Sequence, residues 1–486
     1  MIHHRIQIAI LGSVFVALTG LLLFFPRSTY SELEKRDLAA FPEFTVEKLL
    51  ANTYPGELSR WFSDSEPYRD AFMTASMQLR DWFRLGGEEA VTFHAAEGND
   101  KMAGVVDGNT DTADSADTSL DEKTTLAHAG ILVVGSGANV RALMAFGGEA
   151  GGGRAYASAL NRLKSEIPEL RVYSMVIPLA TEFYCPESAR GTSRPQKPFI
   201  DNIARLLSGV TPVDAYGALK EHAAEDIYLR TDHHWAPLGA YYAARQLAAA
   251  AGVPFRDLSA YDKRVVRRFV GTMYAYSKDI AVKNAPEDFV YYVPRTNFST
   301  NYIVFSLDKE FKMTGSRAWN NAPFFFRFND GSGGAYSTFM GGDAKITRVK
   351  TGVGNGRRML IIKDSYGNAV PGYLFFSFEE IHVIDFRYFN KNLKGYIKNN
   401  KITDVAAVFN VFNAYSNSAA GSILTFMSQK DYTPHARPET KDEPLQSDTV
   451  VTAPAPVPTD EPAQSGSHTE SPESHDRPEP DTPEAE

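Results

Sequence analysis

Five short apolar runs recur along the chain: ILVV (131–134), VYSMVI (172–177), MLII (359–362), IHVIDF (381–386) and VAAVF (405–409). They are continuous rather than alternating, which predicts strands buried on both faces, as in a parallel sheet. Between them, residues 156–167 and 237–251 carry apolar positions at helical spacing. In the second of these, Pro237 suits the first turn, and Ala243, Ala244 and Ala248 allow close packing on a sheet. Strands alternating with helices predict an α/β fold over residues 126–430, a parallel sheet in an α/β/α sandwich of three layers.

Two regions break the alternation. Residues 254–350 are rich in Tyr and Phe, as in FVYYVPRTNFSTNYIVFSL and NAPFFFRFNDGSGG, and predict a mostly β insertion that Gly341 and Gly342 turn back toward the core. Residues 31–96 read as a tether followed by a helix. Glu66 and Pro67 suit its start, Phe72, Leu79 and Phe83 recur on one face, and Gly86 and Gly87 end it. No fixed-period repeat is visible.

The remaining segments are not globular in pattern. Residues 6–25, IQIAILGSVFVALTGLLLFF, hold no charge; at about 1.5 Å per residue they match the roughly 30 Å hydrocarbon core of a bilayer. No A-x-A-like site precedes RSTYSELEKR, so the expectation is a transmembrane signal anchor rather than a cleaved signal peptide. Arg5 before the span and Arg27, Lys35 and Arg36 after it do not decide orientation. A long domain after a single N-terminal span is expected on the outer, periplasmic side of the cell membrane. Residues 97–125 form an acidic, apolar-poor insertion, and residues 434–486 a Pro-rich tail expected to be disordered.

Charge and sulfur narrow the class further. The tail holds thirteen acidic and three basic residues, so its −10 accounts for the whole-chain −9 and leaves the body near neutral. A basic footprint for nucleic acid is missing, since Arg264, Arg267 and Arg268 make only a local patch. Cys185 is the only cysteine, which rules out an intramolecular disulfide.

Two stretches carry chemistry. In GRRMLIIKDSYGNAVPGYL, Asp364 and Ser365 follow a buried strand at its carboxyl end, where open α/β sheets gather reactive groups. A serine on such a turn exposes its hydroxyl beside backbone N–H groups; equally, Asp364 or Ser365 can be a helix cap. In TDHHW, Asp232 and His234 are two apart, so an extended segment turns both to one side and His233 to the other. A serine nucleophile needs such a base and orienting carboxylate. Here too a cap, by Thr231 or Asp232, with polar linker histidines is the plainer alternative. Metal binding is disfavoured, because adjacent histidines are poor co-ligands and no Cys/His cluster or zincin spacing is present. The manganese phosphoesterases that share the DHH string also carry an acidic motif near a first strand, which is missing here.

TDHHWAPLGAYYAA together with IIKDSYGNAVPGYL resembles the DHHW protein family of bacterial cell envelopes and, more distantly, the SGNH-like periplasmic O-acetyltransferases of alginate modification. SELEKRDLAAFPEF and WFSDSEPYRDAF resemble that group's N-terminal segments. The resemblance covers residues 31–428 without the acidic insertion. It implies an SGNH-hydrolase-like domain in which Asp232 orients, His234 is the base and Ser365 the nucleophile. His233 departs from the alginate pattern and stays open as an alternative base. Oxyanion candidates are the Ser365 N–H, Gly135, Asn410 and Asn413. The implied activity is an O-acetyltransferase or acetylesterase acting on a cell-surface polysaccharide. Neither cofactor nor metal is expected, and a membrane acyltransferase partner would supply the acetyl group. Tyr291, Tyr292 and residues 324–326 are either sugar-stacking surface or ordinary core. The alternative function is a catalytically silent scaffold that binds a polysaccharide or an assembly partner.

Overall fold

A computed structural model describes residues 36–51, 53–69, 91–94, 130–148, 151–308 and 312–431, with positions 12, 13, 16, 19, 20, 27, 29–31, 71, 72 and 75 besides. Its centre is an eight-stranded sheet. In chain order the strands are β1 (Arg171–Ile177), β2 (Thr211–Val213), β3 (Phe298–Leu307), β4 (Met313–Trp319), β5 (Lys345–Thr351), β6 (Arg358–Lys363), β7 (Glu380–Asp385) and β8 (Asp404–Asn410), arranged β4-β3-β5-β7-β6-β8-β1-β2.

The sheet is mixed, which corrects the expectation of a parallel one. β7, β6, β8, β1 and β2 pair in parallel, whereas β4, β3, β5 and β7 pair antiparallel. Every residue of β8 is buried, as are all but the first of β6 and β1, so that half is covered on both faces. The antiparallel half comes from residues 298–351, which extend the central sheet instead of forming a sheet apart from it. Those strands mix buried with half-exposed positions, and β4 has no fully buried residue, so they lack the continuous apolar signal of the parallel half.

The helix Pro237–Ala251 buries Ala240, Ala243, Ala244, Leu247 and Ala248 completely and ends on Gly252 at φ 62°, the left-handed geometry glycine tolerates best. Two smaller units flank this body. Strands Val91–His94, Ile131–Val134 and Arg141–Met144 form an antiparallel sheet, and Tyr261–Phe269 pairs with Glu287–Pro294 as a ribbon. Hence ILVV, expected in the central sheet, is the middle strand of a different one.

A helix absent from the sequence reading runs Tyr54–Asp64, with proline in its first turn. The helix expected after Glu66 lies largely outside the described residues. So do nearly all of the 6–25 span, the 97–125 insertion and the 434–486 tail. Among the described residues no helix is long and apolar enough to cross a membrane.

Candidate active site

Residues 227–236 fold back on themselves just before the alanine-rich helix. Tyr228 and Trp235 form an antiparallel bridge, Leu229 N–H donates to His234 O at 3.3 Å, and Ala236 N–H donates to Ile227 O at 2.9 Å. The Glu287 carboxylate grips the tip of this loop, accepting from Arg230 N at 2.9 Å and from Thr231 N and Oγ1 at 2.6 Å. Burial pushes the Glu287 carboxyl above its ordinary range although these donors act against the shift. Trp235, fully buried, donates Nε1–H to Tyr366 O at 2.9 Å, which ties the loop to the turn after β6.

That turn begins with Asp364, whose carboxylate accepts from Tyr366 N at 3.0 Å and so caps the short 3-10 helix Ser365–Ala369. Its other oxygen accepts from Asn410 N at 2.9 Å and Asn413 Nδ2 at 2.7 Å, joining the ends of β6 and β8. Burial raises the Asp364 pKa. With Asp364 as cap, the Ser365 hydroxyl is left for another partner. Tyr336 fixes the turn from the opposite side, its one hydroxyl proton shared between Ser365 O at 3.1 Å and Tyr366 O at 3.2 Å.

Loop and turn bring three side chains into line. Asp232 Oδ1 lies 2.6 Å from His234 Nδ1, and His234 Nε2 lies 2.8 Å from Ser365 Oγ. Asp232 is buried, which by itself raises its pKa; His234, His233 and the Thr272 amide outweigh burial and hold it below the carboxylate range. An ionised carboxylate only accepts, so His234 Nδ1 carries a proton, and the neutral tautomer that this selects has Nε2 as the acceptor facing the serine hydroxyl. Asp232 Oδ1 also accepts the His234 amide at 3.0 Å, and Oδ2 accepts Thr272 N at 2.8 Å and Thr272 Oγ1 at 3.0 Å. The Tyr336 ring lies 3.8 Å from the His234 ring and nearly parallel to it, at 7°, which limits rotation of the imidazole.

His233 stands beside this line rather than in it. Its Nδ1 bonds Thr272 Oγ1 at 2.7 Å and lies 3.7 Å from Asp232 Oδ1, while its carbonyl accepts from the Tyr366 hydroxyl. Burial, then His234, lower its pKa to about 3, so the ring is neutral. Ligand atoms of Asp232, His233 and His234 all fall within 4.8 Å of one another. The 2.6 Å contact between His234 Nδ1 and Asp232 is nevertheless that of a hydrogen bond, tighter than the spacing of two atoms that each stand about 2 Å from one zinc ion in tetrahedral array.

The oxyanion candidates separate. The Ser365 N–H opens a helical turn, where amides lack an intrahelical acceptor. Asn410 sits at the end of β8, tied to Asp364 by its backbone; its side-chain oxygen accepts from Asn413 N at 2.9 Å, so Asn410 is both a turn residue and a neighbour of the serine turn. Asn413 is committed to Asp364. Gly135 is a correction: it follows the middle strand of the separate three-stranded sheet, in a turn at φ 81° where a Cβ would meet the Asn139 carbonyl oxygen. The ILVV strand that precedes it is no part of the sheet that bears Ser365. Tyr291, Phe324 and Phe326 are buried in the core, and Tyr292 and Phe325 pack against it, so these aromatics are not an exposed sugar platform. Thr272, Glu287 and Tyr336 were not singled out from sequence. All three lie in residues 254–350, and only contacts across the fold reveal them.

Comparison with known proteins fits the sequence resemblance. The DHHW protein family model matches residues 34–94 and 101–384, more than two thirds of the chain. The chain belongs to the DHHW protein family. A DHHW family protein from Eubacterium siraeum has 40% identity and a TM-score of 0.56, covering 62% of this chain and 97% of its own. Bacillus cereus PatB1 with a sulfonyl adduct has 17% identity and a TM-score of 0.47, covering 59% of this chain and 96% of its own. The O-acetyltransferase domain of Pseudomonas putida AlgJ has 14% identity and a TM-score of 0.32, covering 57% of this chain and 89% of its own. No curated protein matches the sequence.

Proposed function

We propose that this DHHW family member is a serine-dependent O-acyltransferase or esterase of the cell envelope, acting on a cell-surface polysaccharide. One observation carries the reading: the Asp232–His234–Ser365 hydrogen-bonded line at the carboxyl end of β6, with contacts of 2.6 and 2.8 Å. Ser365 Oγ attacks the acyl carbonyl while His234 Nε2 takes its proton. Asp232 keeps the imidazole in the required tautomer and stabilises the imidazolium that forms. The oxyanion meets the Ser365 N–H and the Asn410 side-chain amide. His234 returns its proton to the leaving group. A glycan hydroxyl or water then gives a proton to His234, attacks the acyl-enzyme and releases Ser365. The expected envelope location rests on the apolar 6–25 segment, and it implies a donor presented by a membrane acyltransferase rather than by a soluble nucleotide thioester.

A fluorophosphonate probe and an activated acetyl ester test this reading on the full chain. Wild-type protein is expected to label at Ser365 and to turn over the ester. Ser365→Ala and His234→Ala should each lower turnover by about 10³-fold or more. Wild-type protein that neither labels nor turns over sinks the enzyme reading in favour of a silent scaffold. Loss of activity in His233→Ala with none in His234→Ala reassigns the base.

A further inference from the structure

The proposed chemistry leaves His233 unused, yet its imidazole is held as closely as that of His234. Thr272 Oγ1 contacts both Asp232 Oδ2 at 3.0 Å and His233 Nδ1 at 2.7 Å. A hydroxyl has one proton to give, and a carboxylate is a stronger acceptor than a neutral ring nitrogen. Thr272 therefore donates to Asp232, and His233 donates Nδ1–H to Thr272. This relay fixes the His233 tautomer and leaves Nε2 as a bare acceptor. Among the described residues Nε2 has no hydrogen-bond partner, and the His233 side chain keeps 17% of its surface exposed.

Position makes that lone pair useful. The His233 and His234 ring centroids are 3.8 Å apart, and both rings turn Nδ1 toward the same Asp232 oxygen. Both Nε2 atoms thus lie on the sides of their rings away from Asp232, one of them at Ser365. Tyr276 stands next to His233, with ring centroids 6.0 Å apart and 38% of its surface exposed.

We infer that His233 is a positioning residue for the acyl acceptor: its Nε2 accepts a hydrogen bond from a sugar hydroxyl adjacent to the one that His234 deprotonates, and so selects vicinal diols of a pyranose over water. The inference rests on the proposed function. In the transfer step the reacting hydroxyl loses its proton to His234 and bonds the acyl carbon. The Ser365 ester bond breaks, and Oγ recovers that proton from His234. His233 exchanges no proton; it orients the acceptor while the exposed Tyr276 ring offers a sugar face to stack on.

The test gives the full chain 4-nitrophenyl acetate as donor and a set of methyl pyranosides as acceptors, and measures the ratio of sugar ester to free acetate. His233→Ala should lower that ratio about tenfold, the worth of one hydrogen bond, chiefly through the KM for the sugar. His233→Gln, with an acceptor carbonyl, should recover part of it. Monodeoxy glycosides repeat the test without altering the protein: wild-type enzyme should lose the same factor with the analogue lacking the neighbouring hydroxyl, and His233→Ala should no longer tell that analogue from its parent. Wild-type enzyme that hydrolyses the donor but forms no sugar ester overturns this inference alone, as does a ratio equal in wild type and His233→Ala. Wild-type enzyme that forms no acyl-Ser365 overturns the function and the inference together.

Discussion

The two histidines of DHHW differ in what surrounds them, and only part of that difference is written locally. The i,i+2 spacing pointed to Asp232 with His234, but the extended segment behind that expectation is absent. Residues 230–234 are bends, and His233 lies on the same side as His234, with ring centroids 3.8 Å apart, rather than on the opposite one. The surroundings of His233 depend on Thr272, 39 residues on, and no periodicity encodes them. Its neighbours are Asp232, His234 and Thr272 on the near side, Tyr276 and Tyr366 beside the ring, and Asp343 and Arg387 acting electrostatically. A histidine whose folded pKa falls from 6.5 to about 3 binds its proton more readily when unfolded. Stability thus rises with pH between those values; the penalty is absent above about 6.5 and grows as pH falls below it. Between pH 5 and 6.5, His233→Gln should lose up to about one proton's worth of slope, roughly 1.4 kcal/mol per pH unit, in urea unfolding free energies. Identical slopes for variant and wild type would show that His233 titrates normally.

At the scale of elements, the strand-to-helix turn held both readings that the sequence offered. Asp364 is the cap and Ser365 carries the hydroxyl that meets His234, so cap and site are consecutive residues rather than alternatives. The apolar run MLII and the polar pair after it made the turn legible. Its supports were not, because they arrive from segments remote in sequence. Gly271 shows how close that approach is: a Cβ there would lie 2.4 Å from both Cβ and Oδ2 of Asp232. With φ at −83°, the glycine is not required for backbone conformation, only for space. Gly271→Ala is therefore expected to push the carboxylate off His234. A displacement near 1 Å costs about 10²-fold in rate, so kcat on an activated ester should fall by that order while the protein stays folded by circular dichroism. Full activity in that variant would mean that the 270–272 segment yields freely, and would remove Asp232 positioning from its roles.

For the whole molecule, the reading of a parallel sheet failed where pairing partners are distant. β5 sits against β7, and that edge is where the parallel half of the sheet meets the antiparallel half, yet the pattern within each strand says nothing of the join. Charge, rather than hydrophobicity, marks the place. Lys363, 2% exposed at the end of β6, donates to Asp343 Oδ1 and to Asp385 Oδ2, both at 2.8 Å; Arg387 closes the ring on the same two carboxylates. Burial by itself lowers the Lys363 pKa, but Asp343 and Asp385 outweigh it and raise the pKa above the ordinary value. Asp343 comes from the segment before β5, Lys363 from β6 and Asp385 from β7, so one ammonium links both halves of the sheet two residues from Ser365. Removing one partner from a buried ion cluster leaves uncompensated charge, at a cost of about 3–5 kcal/mol. Lys363→Met, close in length but unable to pair, should lower the urea unfolding free energy by that amount. A loss under about 1 kcal/mol, with the unfolding slope unchanged, would mean that Arg387 alone satisfies both carboxylates, and that packing rather than charge holds the two halves together.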